Sequence, residues 1–131
     1  MEIARILKDK FGFEKFRPAQ EKIVNHLCDR SHVFAVLPTG AGKSLCYQIP
    51  PLALGERAII VSPLIALMDD QVASLQDRGI QADRIHTGRS YEQCANAWRQ
   101  FRDHPPGLLY MSPEKLMTPK VIAALQKIPV G

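Results

Sequence analysis

What the chain lacks narrows its chemistry before any motif is read. Its three cysteines, Cys28, Cys46 and Cys94, are widely spaced and form no Cys-x-x-Cys pair. That pattern argues against a disulfide framework and predicts a reducing compartment. The four histidines, His26, His32, His86 and His104, are equally scattered, so no metal site is expected from them. No apolar run approaches the ~20 residues that cross a bilayer. The first ten residues follow an amphipathic helical pattern and lack the features of a secretory signal. The cytoplasm is therefore the default expectation: near the nucleoid in a bacterium, in the nucleus of a eukaryote. Neither charge sign dominates, with 17 Lys and Arg against 13 Asp and Glu for a net +4. Such a surplus suits a phosphate-rich partner without requiring one. The 131 residues fit one domain with a modest core, and hydrophobic residues at 46% are ordinary for a globular protein.

Against these absences stands one concentrated signal, Pro38-Thr39-Gly40-Ala41-Gly42-Lys43-Ser44. A short apolar run over residues 32–37 precedes it and reads as a buried strand. Residues 44–49 can begin a helix, which Pro50-Pro51 is expected to interrupt. Gly40 and Gly42 free the backbone to turn successive N–H groups towards one anion. Lys43 is placed to reach the β- and γ-phosphates of a nucleotide, and the Ser44 hydroxyl to ligate its Mg²⁺. The first glycine of the G-x-x-x-x-G-K-[ST] pattern is replaced by Leu37, which argues against a kinase or small GTPase.

Strands and helices then alternate. Helices are predicted over residues 3–11, from Pro18 through Leu27, over 64–75, over 91–101 and over 119–127. Buried strands are predicted at 57–62 and 108–112, with a short one at 82–87. This order predicts a parallel α/β sheet with ligands at the carboxyl ends of its strands. Three strands leave through similar residues: Leu37-Pro38-Thr39, Val61-Ser62-Pro63 and Met111-Ser112-Pro113. Each Ser-Pro alone reads as a strand stop and helix cap. Three on one sheet edge beside a phosphate loop suit a row of donors for phosphates. Asp69-Asp70 reads as a solvated helix face and Trp98 as packing.

Four segments together resemble RecQ-type ATP-dependent DNA helicases of superfamily 2, in order and spacing. They are residues 11–20, FGFEKFRPAQ; 38–50, PTGAGKSLCYQIP; 61–72, VSPLIALMDDQV; and 109–116, LYMSPEKL. Superfamily 2 helicases often lack the first glycine, which accounts for Leu37. The resemblance implies a RecA-like P-loop fold, with residues 1–30 as a helical adenine-recognition segment. It implies ATP and Mg²⁺ as cofactors, bound by Phe13, Arg17, Gln20, Thr39, Gly40, Ala41, Gly42, Lys43 and Ser44. Phe13 takes the position of a base-stacking aromatic, and Gln20 that of the glutamine on the adenine edge. DNA, as a single strand and at the duplex junction, is the implied partner. Its contacts fall on Ser62, Pro63, Leu64, Thr87, Gly88, Ser112, Pro113 and Glu114, with Arg89 beside them. No membrane and no zinc site are implied for this portion.

The family's hydrolysis also needs an Asp-Glu-Ala-His motif and arginines from a second lobe, and neither occurs in these 131 residues. The sheet is therefore expected to be incomplete, lacking the acidic-motif strand and those after it. The isolated chain is expected to be poorly stable or to associate through an open strand edge. Two further readings remain: a non-catalytic fragment that binds nucleotide or nucleic acid, and an RNA helicase of the DEAD-box type.

Overall fold

The computed structural model describes residues 3–31, 33 and 43–128. The predicted strand at 32–37 and the loop residues Pro38, Thr39, Gly40, Ala41 and Gly42 lie outside them, Val33 excepted. The chain forms two compact units, Met1–Gly55 and Glu56–Gly131.

The described part of the first unit is helical: α1 (Ile3–Phe11), α2 (Pro18–Cys28) and α3 (Lys43–Leu54). Both α1 and α2 pack on α3. Ile6, Leu7 and Phe11 of α1, Val24 of α2, and Cys46 and Ile49 of α3 are buried. Contrary to the expected interruption, α3 runs through Pro50 and Pro51 to Leu54. The two prolines remove the donors for the Cys46 and Tyr47 carbonyls, a cost of about 3 kcal/mol in an exposed helix. Here both rings are buried, so packing offsets the loss. Gly12 ends α1 at φ 75°, its N–H donating to the Lys8 carbonyl at 3.0 Å. At the end of α2, Arg30 takes the same left-handed conformation at φ 63°. Its N–H and that of Ser31 close the helix onto Leu27 and His26 at 3.0 and 2.9 Å.

The second unit is a three-stranded parallel sheet in the order β1-β3-β2, formed by β1 (Arg57–Val61), β2 (Ala82–Ile85) and β3 (Gly107–Met111). Its helices are α4 (Ile65–Asp77), α5 (Tyr91–Asp103), α6 (Pro113–Leu116) and α7 (Pro119–Leu125). The chain steps from β1 past β3 to β2 and then back to β3. Right-handed crossovers in opposite directions place α4 and α5 on opposite faces. Ile85, Leu109 and Met111 pack accordingly with Ala97 and Phe101 of α5. Arg84, in register with Tyr110, reaches Asp69 of α4 on the other face.

Central β3 is buried along its whole length. β1 was expected to be buried too, yet it is half-buried and its Val61 is exposed. Among the described residues it pairs with β3 alone. Trp98 stacks obliquely on Phe101, ring centres 5.9 Å apart, in the packing role expected of it. The four-residue α6 has no counterpart in the sequence expectations.

Candidate nucleotide and nucleic-acid sites

In the helical unit, Lys43 and Ser44 are the first two residues of α3. That places an exposed ammonium and a half-buried hydroxyl at the positive end of a 12-residue helix. The donor set suits a phosphate carrying a divalent cation: a cation for the anion, an oxygen for the metal. Phe13 follows the Gly12 turn and is 50% exposed, open to a flat ligand on its face. Arg17 precedes α2 in extended backbone, with Pro18 in the first turn. Gln20 is 3% exposed, and its Oε1 accepts the Arg17 backbone N–H at 2.8 Å. Its own N–H returns a bond to the Arg17 carbonyl at 3.0 Å. Gln20 therefore shapes the start of α2, a structural task beside the one the resemblance implies. An amide oxygen has two lone pairs, so the two tasks are compatible.

In the sheet unit, register does the placing. Val61 and Ile85 are both paired with Met111, so the three strands end side by side. Ser62, Ser112 and the residues after Ile85 then form one row along the carboxyl edge. Two backbone bonds extend the ladder into this row, Ser62 N–H to Met111 and Ser112 N–H to Ile85, at 3.1 and 3.4 Å. Of the three exits expected on one edge, those of Ser62 and Ser112 are adjacent there, and that of Pro38 lies outside the described residues.

The two serines do local work as well. Ser112 caps α6, its Oγ accepting the Lys115 N–H at 3.4 Å. The Ser62 Oγ accepts the Leu64 N–H at 3.2 Å. Both use an oxygen lone pair, which leaves the hydroxyl proton as a donor, on half-buried Ser62 and on Ser112, which is 3% exposed. Pro63 is exposed and Leu64 is 60% exposed. Glu114 stands exposed in the first turn of α6, where its charge complements the helix dipole. A carboxylate repels phosphate, and its nucleic-acid chemistry is to accept from a base amino group.

The third position in the row is a turn, His86–Arg89, closed by the Arg89 N–H on the His86 carbonyl at 3.2 Å. Thr87 and Gly88 are its exposed tip. Arg89 is folded back, its guanidinium 2.8 Å from the Asp83 carboxylate. It supports the turn from beneath. Sequence reading missed the group that organises this corner. Asp69, read as a solvated acid, accepts from Arg84 Nε at 2.7 Å and pairs with His86 Nε2 at 3.1 Å. These partners are 15 and 17 residues away, and the packing of α4 on β2 brings them together. The His86 bond, with Arg84 assisting and burial opposing, holds the Asp69 carboxyl below its usual range. Among the described residues no cluster of three metal-ligating side chains occurs. No helix among them is long and apolar enough to cross a membrane.

Comparison with known proteins adds a family. The profile of the DEAD/DEAH box helicases matches residues 17–128. The chain is 42% identical to the ATP-dependent DNA helicase RecQ of Haemophilus influenzae over 113 residues, 86% of this chain and 18% of that protein. It is 38% identical to the ATP-dependent DNA helicase Q1 of Rattus norvegicus over 121 residues, 91% of this chain and 20% of that protein. Against the RecQ of Bacillus subtilis it is 37% identical over 126 residues, or 95% of this chain and 21% of the relative. The chain thus spans about a fifth of the length of the curated relatives it matches.

Proposed function

The chain belongs to the DEAD/DEAH box helicase family, and from that premise we propose that it is part of the ATP-binding lobe of a RecQ-type DNA helicase. In that enzyme, cycles of ATP binding and hydrolysis drive movement along a single strand and open the duplex ahead. The observation that carries this reading is the row of strand ends, Ser62, Ser112 and Thr87-Gly88, on the carboxyl edge of a parallel sheet. Ligands of open α/β sheets bind at that edge. The names of the relatives, DNA helicases throughout, favour DNA over RNA.

The residues divide the work. Lys43 at the head of α3 neutralises the β- and γ-phosphates, and Ser44 supplies an oxygen to the cation. When bound, ATP with Mg²⁺ supplies the phosphoryl group whose transfer releases the free energy. Phe13 offers a face to the adenine, and Gln20, with Arg17 beside it, meets the polar edge. Along the sheet, Ser62 and Ser112 hydroxyls and the turn amides donate to the sugar-phosphate backbone. Pro63, Leu64 and Pro113 give apolar contact, and Glu114 accepts from a base. Residues 1–131 thus serve as the first portion of the lobe, with residues 1–30 as the adenine-recognition segment.

The test uses the full-length protein that carries this chain. ATP hydrolysis stimulated by single-stranded DNA, together with strand separation of a forked duplex, is the expected result. Hydrolysis stimulated by RNA but not by DNA would assign it instead to the RNA-acting class. Nucleotide binding without hydrolysis would leave the non-catalytic reading.

A further inference from the structure

We propose that His86 is a positioning residue that sets the shape of the Thr87–Gly88 turn for the strand. The inference rests on the reading that this turn meets the sugar-phosphate backbone. His86 is the first residue after β2 and is 3% exposed, yet it is a polar ring at a functional edge. Buried polar groups cost stability unless bonded, and both ring nitrogens are engaged. Nδ1 accepts the Gly88 N–H at 3.0 Å. Because a backbone amide can only donate, the ring proton sits on Nε2, which donates to Asp69 at 3.1 Å. Asp69 is fixed in turn by Arg84 at 2.7 Å. The result is one chain of bonds running from Gly88 through His86 and Asp69 to Arg84.

Its geometry has a consequence. Asp69 lies on α4, the helix that leaves the sheet just after Ser62-Pro63-Leu64. His86 therefore ties the β2 exit to the element launched from the β1 exit, with Ser112 between them on β3. The Asp69 bond seats the ring against α4, and the Nδ1 bond to the Gly88 N–H is the one that shapes the turn. Gly88 completes the device. A Cβ at that position would meet Cε1 and Nδ1 of His86 at 3.1 Å, so the ring would have to give by a few tenths of an ångström. Preorganised donors bind a ligand with less ordering cost than mobile ones.

Two substitutions separate positioning from packing. In His86→Asn, the shorter side chain retains an acceptor for the Gly88 N–H, as in an Asx turn, and gives up Asp69. In His86→Gln, the longer one retains Asp69 and gives up Gly88. The full-length protein and its variants are titrated against a fluorescein-labelled oligothymidylate by anisotropy, with melting temperatures measured in parallel. His86→Ala is expected to bind about fivefold more weakly, the usual worth of one net hydrogen bond. His86→Gln is expected to match it, and His86→Asn to stay within about twofold of the unaltered protein.

Equal affinities of the Asn and Gln variants, or affinities that simply follow the melting temperatures, would overturn the assignment. So would unchanged binding by His86→Ala. If the unaltered protein binds no oligothymidylate, the proposed function fails and this inference fails with it. Normal binding by the unaltered protein and by His86→Ala defeats the inference alone.

Discussion

The helical unit and the sheet unit place their chemistry by different means. Among the described residues of the first unit the candidate groups are individual side chains at helix ends: Lys43 and Ser44 opening α3, Gln20 in the first turn of α2, Phe13 just past α1. In residues 56–128 they form a line of small donors aligned by strand register. On the proposed function, the first arrangement rests most of the work on one charged group, Lys43. The second distributes it over several weak contacts, each tied to the local fold. Substitutions should therefore behave differently in the two units: near all-or-none in the first, graded and mixed with stability effects in the second.

The largest expected effect is in the helical unit. Lys43→Ala in the full-length protein removes the ammonium that the proposed function assigns to the nucleotide phosphates, and ATP hydrolysis should fall by about 10²-fold or more. Its side chain is exposed, so the melting temperature should hardly move. Hydrolysis at the unaltered rate would show that Lys43 does not serve the phosphates.

Ser112→Ala tests the opposite behaviour. Removing the cap of α6 should cost about 1 kcal/mol of stability and weaken single-strand binding only a few-fold, about one hydrogen bond. Equilibrium unfolding and anisotropy titration on the same preparations read both. A loss of binding as complete as that expected of Lys43→Ala for hydrolysis would break the contrast between the units.

How far each unit was legible in sequence follows the same division. Helix ends are written locally. Gly12, Pro18 and Gly79 mark starts and stops that the structure keeps, because a left-handed residue or a fixed φ acts within one turn. The parallel sheet was legible from alternation, and the shared edge from the repeated Ser-Pro exits. Two things were not. Pro50-Pro51 reads locally as a break, but both rings are buried and α3 runs through them, which tertiary packing and not local sequence decides. The Asp69–His86 pair has no sequence signature, since it arises only when α4 packs against β2. Local chemistry is readable from neighbours in the chain, whereas polar pairs between elements depend on how those elements pack.

A smaller effect probes the helix ends themselves. Arg30 holds a left-handed φ of 63°, a conformation that costs a residue with a side chain about 1–2 kcal/mol. Arg30→Gly relieves that strain but adds freedom to the unfolded chain. The balance should be a gain of about 0.5–1 kcal/mol, read as a higher midpoint in urea unfolding. A lower midpoint would show that Arg30 side-chain contacts outweigh its backbone strain.

The smallest effect belongs to the sheet unit and is a matter of pH. The Asp69 carboxyl is held below its ordinary value of 3.8, first by its bond to His86, with Arg84 adding to it. A carboxyl depressed in the folded state adds stability that is fully present above its unfolded value. That contribution is lost as pH falls through the folded value. Asp69 is partly solvated, its side chain 44% exposed, so solvent screens much of the effect. Asp69→Asn keeps an oxygen for the His86 Nε2 proton but has nothing to titrate. Between about pH 5 and pH 2 the unaltered chain should lose more stability than this variant. Parallel pH dependences of the two unfolding midpoints would mean that acid acts elsewhere and that the corner beneath Thr87 and Gly88 draws no strength from the Asp69 charge.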